Sequence, residues 1–593
     1  MILVENQKGY NQSRQTLNFT IERDMEHEEL FGILTNLIQV ETGVRTFQEI
    51  QQKYPEFYDA DRKEKWNHDA AYSSMQEYKP KRCENFCPYH KECEHGKNIL
   101  STVRPKRGTM ERVSGYQEQF YSIEEVQDDT FDAISRAYKA KCNRVYVIKA
   151  MTSIGKSTSY LRLISENPEC RFLVAAPTNL LKEELHDRAR KLGINVRRTP
   201  SLEQIKDKIP DRIWEHIQSL YKSGQRKKVH EYIHEVLVRA DIPCLRKYIK
   251  KREELKDFEG TLITTHNYLL NMNEESLRKY DAIIIDEDIL FKSVISNQGE
   301  ITVSELERIS KETADIRLLK KIKKLLKSAK KHSCIEVDGF EWDEDNDENY
   351  NFDLPSFCLA ERFLLRKASE EQGLEEDTFA YLKPVSFKDV KYIIVSATAD
   401  ETIYRNYFRR FGDDRVDFYE CKKAEYMGVL KQYPRKSMSR TCIANNSGIV
   451  ERIMESLGIN EDKVITFKKE NLGQLHFGNT EGSNTLEGKD ILVVGTPYHT
   501  EFLYKLVAFA MDLDFDEDEK MKMQNVTHNG YLFRFTTFAN ENLRNIQFWM
   551  IESELEQAVG RARLLRHSCV VHLFSNFPLS QARMIEGFVY DKE

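Results

Sequence analysis

No apolar run in this chain approaches the ~18 residues that a membrane-spanning helix needs. The first residues, MILVENQKGYNQSRQ, lack the basic-then-apolar order and the small-residue cleavage site of an export signal. The expectation is therefore a cytoplasmic protein with no membrane partner. Glycine and proline are sparse, 25 and 14 in 593 residues, which excludes collagen-like and low-complexity chains. Charge of one sign is not in excess either. With 89 basic against 96 acidic side chains the net charge is −7, so a polyanionic partner has to be met in a local groove rather than by the whole surface. Cysteine is thin for the length, 11 residues scattered singly apart from one tight group, and that spacing excludes a disulfide framework. No segment repeats at a period of ~20–50 residues, which excludes a solenoid or propeller.

What remains is a globular chain, 40% hydrophobic and 31% charged, long enough for several domains of ~100–200 residues each. Residues 1–115 are polar and aromatic-rich and end in a basic connector, VRPKRGTMERVSG. Beyond it, short β-branched runs alternate with helical patterns: VYVIKA (145–150), FLVAAP (172–177), TLITTH (261–266), AIIID (282–286) and YIIVSAT (392–398). Continuous apolar runs closed by polar loops read as buried parallel strands. A second set, VITFKK (464–469), ILVVGTP (491–497) and VVHLFS (570–575), implies a second sheet. The pattern predicts an α/β chain with two doubly wound parallel-sheet lobes, 116–400 and 401–593, the first interrupted by helical insertions at 195–260 and 295–390. In the second insertion, a basic helix over residues 317–331 is expected to bury Ile316, Leu319, Ile322 and Leu326, with its lysines outside. An acidic stretch, 336–353, follows it.

Chemistry concentrates in three places. The run Ala150-Met-Thr-Ser-Ile-Gly-Lys-Ser-Thr158 lies between a predicted strand and a helical pattern, the order that delivers backbone N–H groups and a helix N-terminus to phosphates. Gly155 allows close approach, Lys156 supplies a point charge, and the Ser157 hydroxyl suits Mg²⁺, with Ser153 and Thr158 beside them. At the end of AIIID come two adjacent carboxylates, Asp286 to hold the metal and Glu287 to deprotonate an attacking water. Residues 552–566 read as a helix that carries Gln557 and Arg561 on one face, four apart with Gly560 between them. A glutamine and a guanidinium so placed can sense a terminal phosphate and neutralise its charge as it leaves.

In this order the motifs resemble those of superfamily 2 helicases. AMTSIGKST is similar to motif I, Pro177-Thr178 to motif Ia, Asp286-Glu287-Asp288-Ile289 to the DExx box, Ser396-Ala397-Thr398 to motif III and Gln557-Ala-Val-Gly-Arg561 to motif VI. Residues 464–468 fall where motif IV belongs, and Gly495-Thr496-Pro497 where motif V belongs. The resemblance spans residues 120–570. It implies two RecA-like lobes with ATP and Mg²⁺ in the cleft between them, and nucleic acid across their tops, facing Pro177, Thr178, Thr265, His266 and Thr496. It also implies an ATP-dependent DNA helicase or translocase working on single-stranded DNA or a junction. RNA would differ by its 2′-hydroxyl contacts. The alternative is a nucleic-acid-activated ATPase switch or initiator, in mobile-element replication or defence, that recruits a partner without processive unwinding. Where the family often has a second arginine this chain has Leu564, so Arg563 or Arg566 is expected to substitute for it, with Arg561 and Arg563 taken as catalytic and the choice of arginine finger left open among them. THNYLL and the paired insertions are similar to DNA-repair helicases that carry an iron–sulfur cluster. The first insertion, however, holds only Cys244, with Cys170 before it, short of the four cysteines required.

In the N-terminal region Cys83, Cys87, Cys93 and His95 crowd into one short segment, with His90 as a competing ligand. Three thiolates and an imidazole suit tetrahedral Zn²⁺. Tyr72, Tyr78, Phe86 and Tyr89 nearby could stack on a single strand or pack the module, and the module is a candidate site for a protein partner. The expected outcome is stoichiometric zinc in the purified protein, lost in Cys87→Ser while the α/β lobes stay folded. Elemental analysis that finds the same zinc content in both would remove the knuckle.

Overall fold

The apolar runs between residues 145 and 420 form one parallel sheet of seven strands. They are β1 (Val145–Lys149), β2 (Phe172–Ala176), β3 (Val196–Arg198), β4 (Thr261–Thr265), β5 (Ala282–Asp286), β6 (Tyr392–Ser396) and β7 (Val416–Glu420), in the spatial order β7-β1-β6-β5-β2-β4-β3. The computed structural model describes residues 5–7, 16–18, 26–37, 47–48, 52, 80–87, 90–91, 110–343, 350–369, 374–409, 412, 415–480, 484–588 and 590. Ile283, Ile284 and Ile285 have no exposed surface, because helices cover both faces of a sheet whose crossovers are helical. Among those helices are α1 (Ile123–Lys139), α2 (Lys156–Glu166) and α3 (Asn179–Lys191). A capping box between Ser122 and Glu125 starts α1, and the Thr178 hydroxyl caps α3 by accepting from the Leu181 N–H.

β7 lies beyond residue 400, where the pattern puts the lobe boundary. Its sequence, VDFYE, alternates and reads as half-exposed, as a strand on the edge of a sheet does. The second sheet is also all parallel. It contains β8 (Val429–Gln432), β9 (Val464–Thr466), β10 (Leu475–His476), β11 (Ile491–Val494), β12 (Val570–Phe574) and β13 (Arg583–Met584), ordered β10-β9-β11-β12-β8-β13. Its first strand in the chain is thus β8 rather than the run at 464. VLKQ hides because Gln432 is a fully buried core residue. Its amide donates to the carbonyls of Ser575 (3.0 Å) and Phe577 (2.7 Å), and its carbonyl accepts from the Leu579 N–H. Two helices of this part matter below, α4 (Glu501–Ala510) and α5 (Glu541–Val559).

Between β3 and β4, three helices (Asp211–Lys222, Arg226–Arg239 and Pro243–Glu253) enclose a core of their own around Ile217, Ile233 and Leu245. The second insertion differs from the helical expectation. It holds an antiparallel sheet of Gln298–Thr302, Thr378–Leu382, Arg362–Arg366 and Cys334–Glu336, in that order, besides its helices. RFLLR and TFAYL have apolar residues on both faces, since each face is covered. Phe363, Leu365, Phe379 and Tyr381 pack on the insertion's helices, whereas Leu364 and Ala380 on the opposite face pack against Leu506 of α4.

The basic helix forms over Ile316–Ser328, but its inner face is Leu318, Ile322 and Leu325, while Ile316 is 67% exposed. Lys321 is buried with that face. Its ammonium donates to the carbonyls of Asp338 (3.0 Å), Cys358 (3.0 Å) and Ala360 (2.5 Å) and lies 5.3 Å from the centre of the Phe363 ring. Burial lowers its pKa to about 8. The rotation has a plain cause: three converging carbonyls need a donor, and a lysine stem packs like an aliphatic chain.

Residues up to Tyr116 group with Asn525–Phe535 as a separate unit. In it Met110–Arg112 pairs antiparallel with Tyr531–Phe533. The turn that carries Cys83 and Cys87 rests on the helix His27–Leu37, where the Phe86 ring fills the space a Cβ at Gly32 would need and Asn36 donates to the Lys81 carbonyl at 2.9 Å. Phe86 is therefore a packing residue, committed to this helix.

Lys321→Ala is expected to destabilise the second insertion by about 2–4 kcal/mol, by leaving three buried carbonyls unpaired. Limited proteolysis should then cut within residues 298–382 at temperatures the wild type resists, and equal resistance would contradict the packing role.

Candidate nucleotide-binding site

All three chemical clusters meet at the C-terminal edge of the first sheet, where strands in register end together. Val395 pairs with Asp286, and Ser396 with Lys149. The loop after β1 is anchored by Ala150, 2% exposed, whose N–H donates to the Ser396 carbonyl at 2.9 Å. Ser153 (φ 65°) and Gly155 (φ 109°) both take left-handed backbone, so the loop curls onto the start of α2. Lys156 is 8% exposed, with its ammonium 3.4 Å from the Met151 carbonyl and 4.0 Å from a Glu287 carboxylate oxygen. The Ser157 and Thr158 hydroxyls accept from the two terminal nitrogens of Arg188, at 2.9 and 3.0 Å.

Asp286 is 5% exposed and accepts a bond from the Tyr160 hydroxyl at 3.1 Å. Burial first, and the Glu287 charge second, push its carboxyl well above the usual range, with Lys156 opposing. Glu287 holds φ 72°, a left-handed backbone that a non-glycine residue adopts only under constraint. Its N–H donates to the Val395 carbonyl at 3.0 Å, which keeps it at the sheet edge. Asp288 has a different part. It is fully buried, accepts from the Tyr404 hydroxyl (2.7 Å) and from the Leu290 and Phe291 N–H groups, and is pushed up to about 6 by burial. It holds the turn that follows.

From the second lobe, the end of α5 approaches the loop so closely that a Cβ at Gly560 would sit 3.1 Å from Thr152 Cγ2. Gln557, 3% exposed, has neither amide atom hydrogen-bonded. A buried polar group without partners is rare and costly. Arg561 donates through Nε to the Gln557 carbonyl at 3.2 Å. Arg563 turns back into its own lobe, to Glu487 and Asn484, both at 2.8 Å. Arg566 instead reaches the loop and donates to the carbonyls of Ser153 (2.7 Å) and Ile154 (3.1 Å). The correction is structural. Arg563 sits at φ 55°, just past the helix end, and the reversed backbone sends its side chain away. Gln127 of α1 also donates to the Ile154 carbonyl, at 2.9 Å. Gln127 and Arg188 went unmarked in the sequence, because an isolated polar residue in a helix has no local signature.

Of the residues expected to face nucleic acid, Pro177 and Thr178 are half-buried at the start of α3. Thr265 caps the helix His266–Leu270, accepting from the Tyr268 N–H, and lines a cavity of about 1380 Å³. That cavity lies between the first lobe and both insertions, and carries Trp214, Tyr268, Arg226, Lys227 and Lys292 as well as Asn179 and Lys182 from the first turn of α3. His266 and Thr496 are not at a surface. His266 is fully buried, with Nε2 2.9 Å from the Asp286 carbonyl and Nδ1 3.2 Å from the Ser293 hydroxyl, and burial lowers its pKa to about 4. The neutral ring thus donates from Nε2 and steadies the end of β5. Thr496, also fully buried, donates to the Ser437 carbonyl at 2.6 Å and lies 2.7 Å from the Ser575 hydroxyl. Both residues are committed to the interior.

Cys83 and Cys87 share one turn, with the Cys87 N–H donating to the Cys83 carbonyl at 2.8 Å and His90 Nδ1 3.0 Å from the Cys87 carbonyl. Cys93 and His95 lie outside the described residues, as do Tyr72, Tyr78 and Tyr89. Among the described residues no three His, Cys, Asp or Glu side chains converge as a metal site. Nor is any described helix long and apolar enough to cross a membrane.

No family model matches the chain, and no curated protein matches it in sequence. Solved structures that it resembles include helicases. An XPD helicase shares 14% identity over 76% of this chain and 95% of its own, with a TM-score of 0.41. The DUF1998 helicase MrfA bound to DNA and AMPPNP shares 12% identity over 79% of this chain and 52% of its own, at 0.28. A DEAD box protein from the hyperthermophile Methanococcus jannaschii shares 10% over 79% and 94%, at 0.22.

Without metal, the raised Asp286 carboxyl is a liability. A carboxyl whose folded pKa exceeds its unfolded one costs the fold nothing below the unfolded value, a growing amount between the two, and a constant amount above both. Asp286→Asn is therefore expected to raise the melting temperature in EDTA at about pH 8 and to lose that advantage near about pH 4. A melting temperature no higher than wild type at the upper pH would contradict the burial cost.

Proposed function

We propose that this chain is an ATP-hydrolysing motor on nucleic acid, a helicase or translocase whose track is single-stranded DNA or a junction. The observation that carries the reading is Gln557, a buried amide with no partner on a helix whose end, at Gly560, approaches Thr152 of a phosphate-type loop too closely to admit a Cβ without crowding. Its unspent donor and acceptor suit a terminal phosphate and the water that attacks it. The left-handed turns at Ser153 and Gly155 suit a cradle for phosphate oxygens, and the Lys156 ammonium lies 3.4 Å from the Met151 carbonyl of the same loop. The donor set fits Mg²⁺, with the Ser157 hydroxyl and the Asp286 carboxylate as the oxygens that would hold it. When bound there, Mg²⁺ neutralises charge on the phosphates.

The protein's own part follows from its geometry. Lys156 orients the phosphate tail, and Glu287, still partly exposed, takes the proton of the attacking water. Gln557 positions that water, while Arg561 and Arg566 bring positive charge from the second lobe. Trp549 of α5 donates to the Thr398 carbonyl at 3.0 Å, so the helix that presents Gln557 is tied to the SAT loop of the first lobe. That tie supports coupling of hydrolysis to lobe movement. The cavity beside Thr265 supports a single-stranded track, since aromatic rings and basic side chains both line it.

The test is steady-state phosphate release from Mg²⁺ and ATP, without polymer and with single-stranded DNA, duplex DNA or RNA at one salt concentration. Single-stranded DNA is expected to stimulate most. Lys156→Ala should abolish turnover, and Glu287→Gln should bind ATP yet hydrolyse it ~10²–10⁴-fold more slowly. A rate indifferent to every polymer would reject the motor. Wild-type turnover by Lys156→Ala would reject the phosphate loop itself.

A further inference from the structure

Helix α3 leaves the cavity with Asn179 and Lys182 in its first turn and ends beside the phosphate loop with Arg188 in its last. At 13 residues it is a rigid rod ~20 Å long that touches both places. Arg188 is 34% exposed, with Glu184 one turn before it at 3.9 Å. Its guanidinium is forked, one nitrogen on the Ser157 hydroxyl and the other on Thr158. It also acts on Asp286 from a distance, opposing the rise of that carboxyl. A guanidinium carries its charge at every working pH and has five donors and no acceptor. A positive charge therefore rests on the one hydroxyl, and faces the one carboxylate, that the reading above assigns to the divalent cation.

We infer that Arg188 is a positioning residue of the metal site, holding the Ser157 hydroxyl while the site is empty and withdrawing before a divalent cation can take that oxygen. The inference rests on the nucleotide-binding reading and adds a cost to metal entry that a loop with a free serine would not have. Two cations on one hydroxyl oxygen repel, and with Arg188 34% exposed that repulsion is partly screened by water and salt. Removing the charge of Arg188 should thus make metal binding easier, whereas a residue that merely tied α3 to α2 would, when lost, loosen the loop and make binding harder.

The experiment titrates Mg²⁺ against binding of a fluorescent, non-hydrolysable ATP analogue by the full chain. Arg188→Gln keeps the reach and the amide donors without the charge, and its half-saturating Mg²⁺ is expected to fall on the order of fivefold. Arg188→Lys keeps the charge and should stay near wild type. The effect should shrink as salt is raised. Mg²⁺-dependent binding by wild type with an unchanged or higher half-point in Arg188→Gln overturns this inference and leaves the nucleotide site standing. Wild-type binding that ignores Mg²⁺ overturns the inference alone, and no binding overturns both.

Discussion

One constraint governs this molecule: an acid and a lysine must be held almost dry at the edge of a sheet. Asp286 is 5% exposed and Lys156 8%, and neither has a full set of protein partners to replace the water it has lost. Buried charge of this kind persists only where its surroundings are stiff. The stiffness comes from β5 between β6 and β2, a run of three isoleucines with no exposed surface, and from the His266 ring pinned to the Asp286 carbonyl. Tyr160, fully buried in α2, brings its hydroxyl to the same carboxylate. The left-handed turn at Glu287 is the strain left over when the chain must leave that edge at once.

A second consequence is the dependence of the two lobes on each other. The apolar cluster under the first sheet does not stop at the lobe boundary. It continues through Tyr504 and Val507 of α4 and Ile546, Trp549 and Met550 of α5. The Phe291 and Trp549 rings meet edge to face at 5.6 Å, next to the bond from Trp549 to Thr398. Gln557 is thus delivered by a helix whose middle belongs to the core of the first lobe and whose end belongs to the cleft.

How much of this is legible in the sequence follows from how far each signal reaches. The central strands are plain because a strand covered on both faces must be apolar throughout, as AIIID and ILVVG are. β7 and β8 escape because one is an edge strand with alternating exposure and the other hides a core glutamine that only its distant partners Ser575 and Phe577 explain. The phosphate loop and the acid pair are local and can be read directly. The roles of His266 and Thr496 cannot. A polar residue at a strand end looks the same whether it faces a ligand or bonds inward, and both bond inward. Arg563 and Arg566 are separated only by a reversal of the backbone that no residue type announces.

The second insertion shows what its attachment does. It leaves the first lobe by two chain crossings, joined by the bond from the Lys383 N–H to the Asn297 carbonyl at 3.0 Å. Its far face is glued to α4 by Leu364, Ala380 and Leu506, and Arg362 adds a bond to the Phe509 carbonyl at 3.2 Å and an ion pair with Asp512. Ser296, Asn297, Lys383 and Pro384, where the insertion joins the first lobe, are also a wall of the large cavity. The joint that holds the insertion to the first lobe is therefore also part of that cavity's lining.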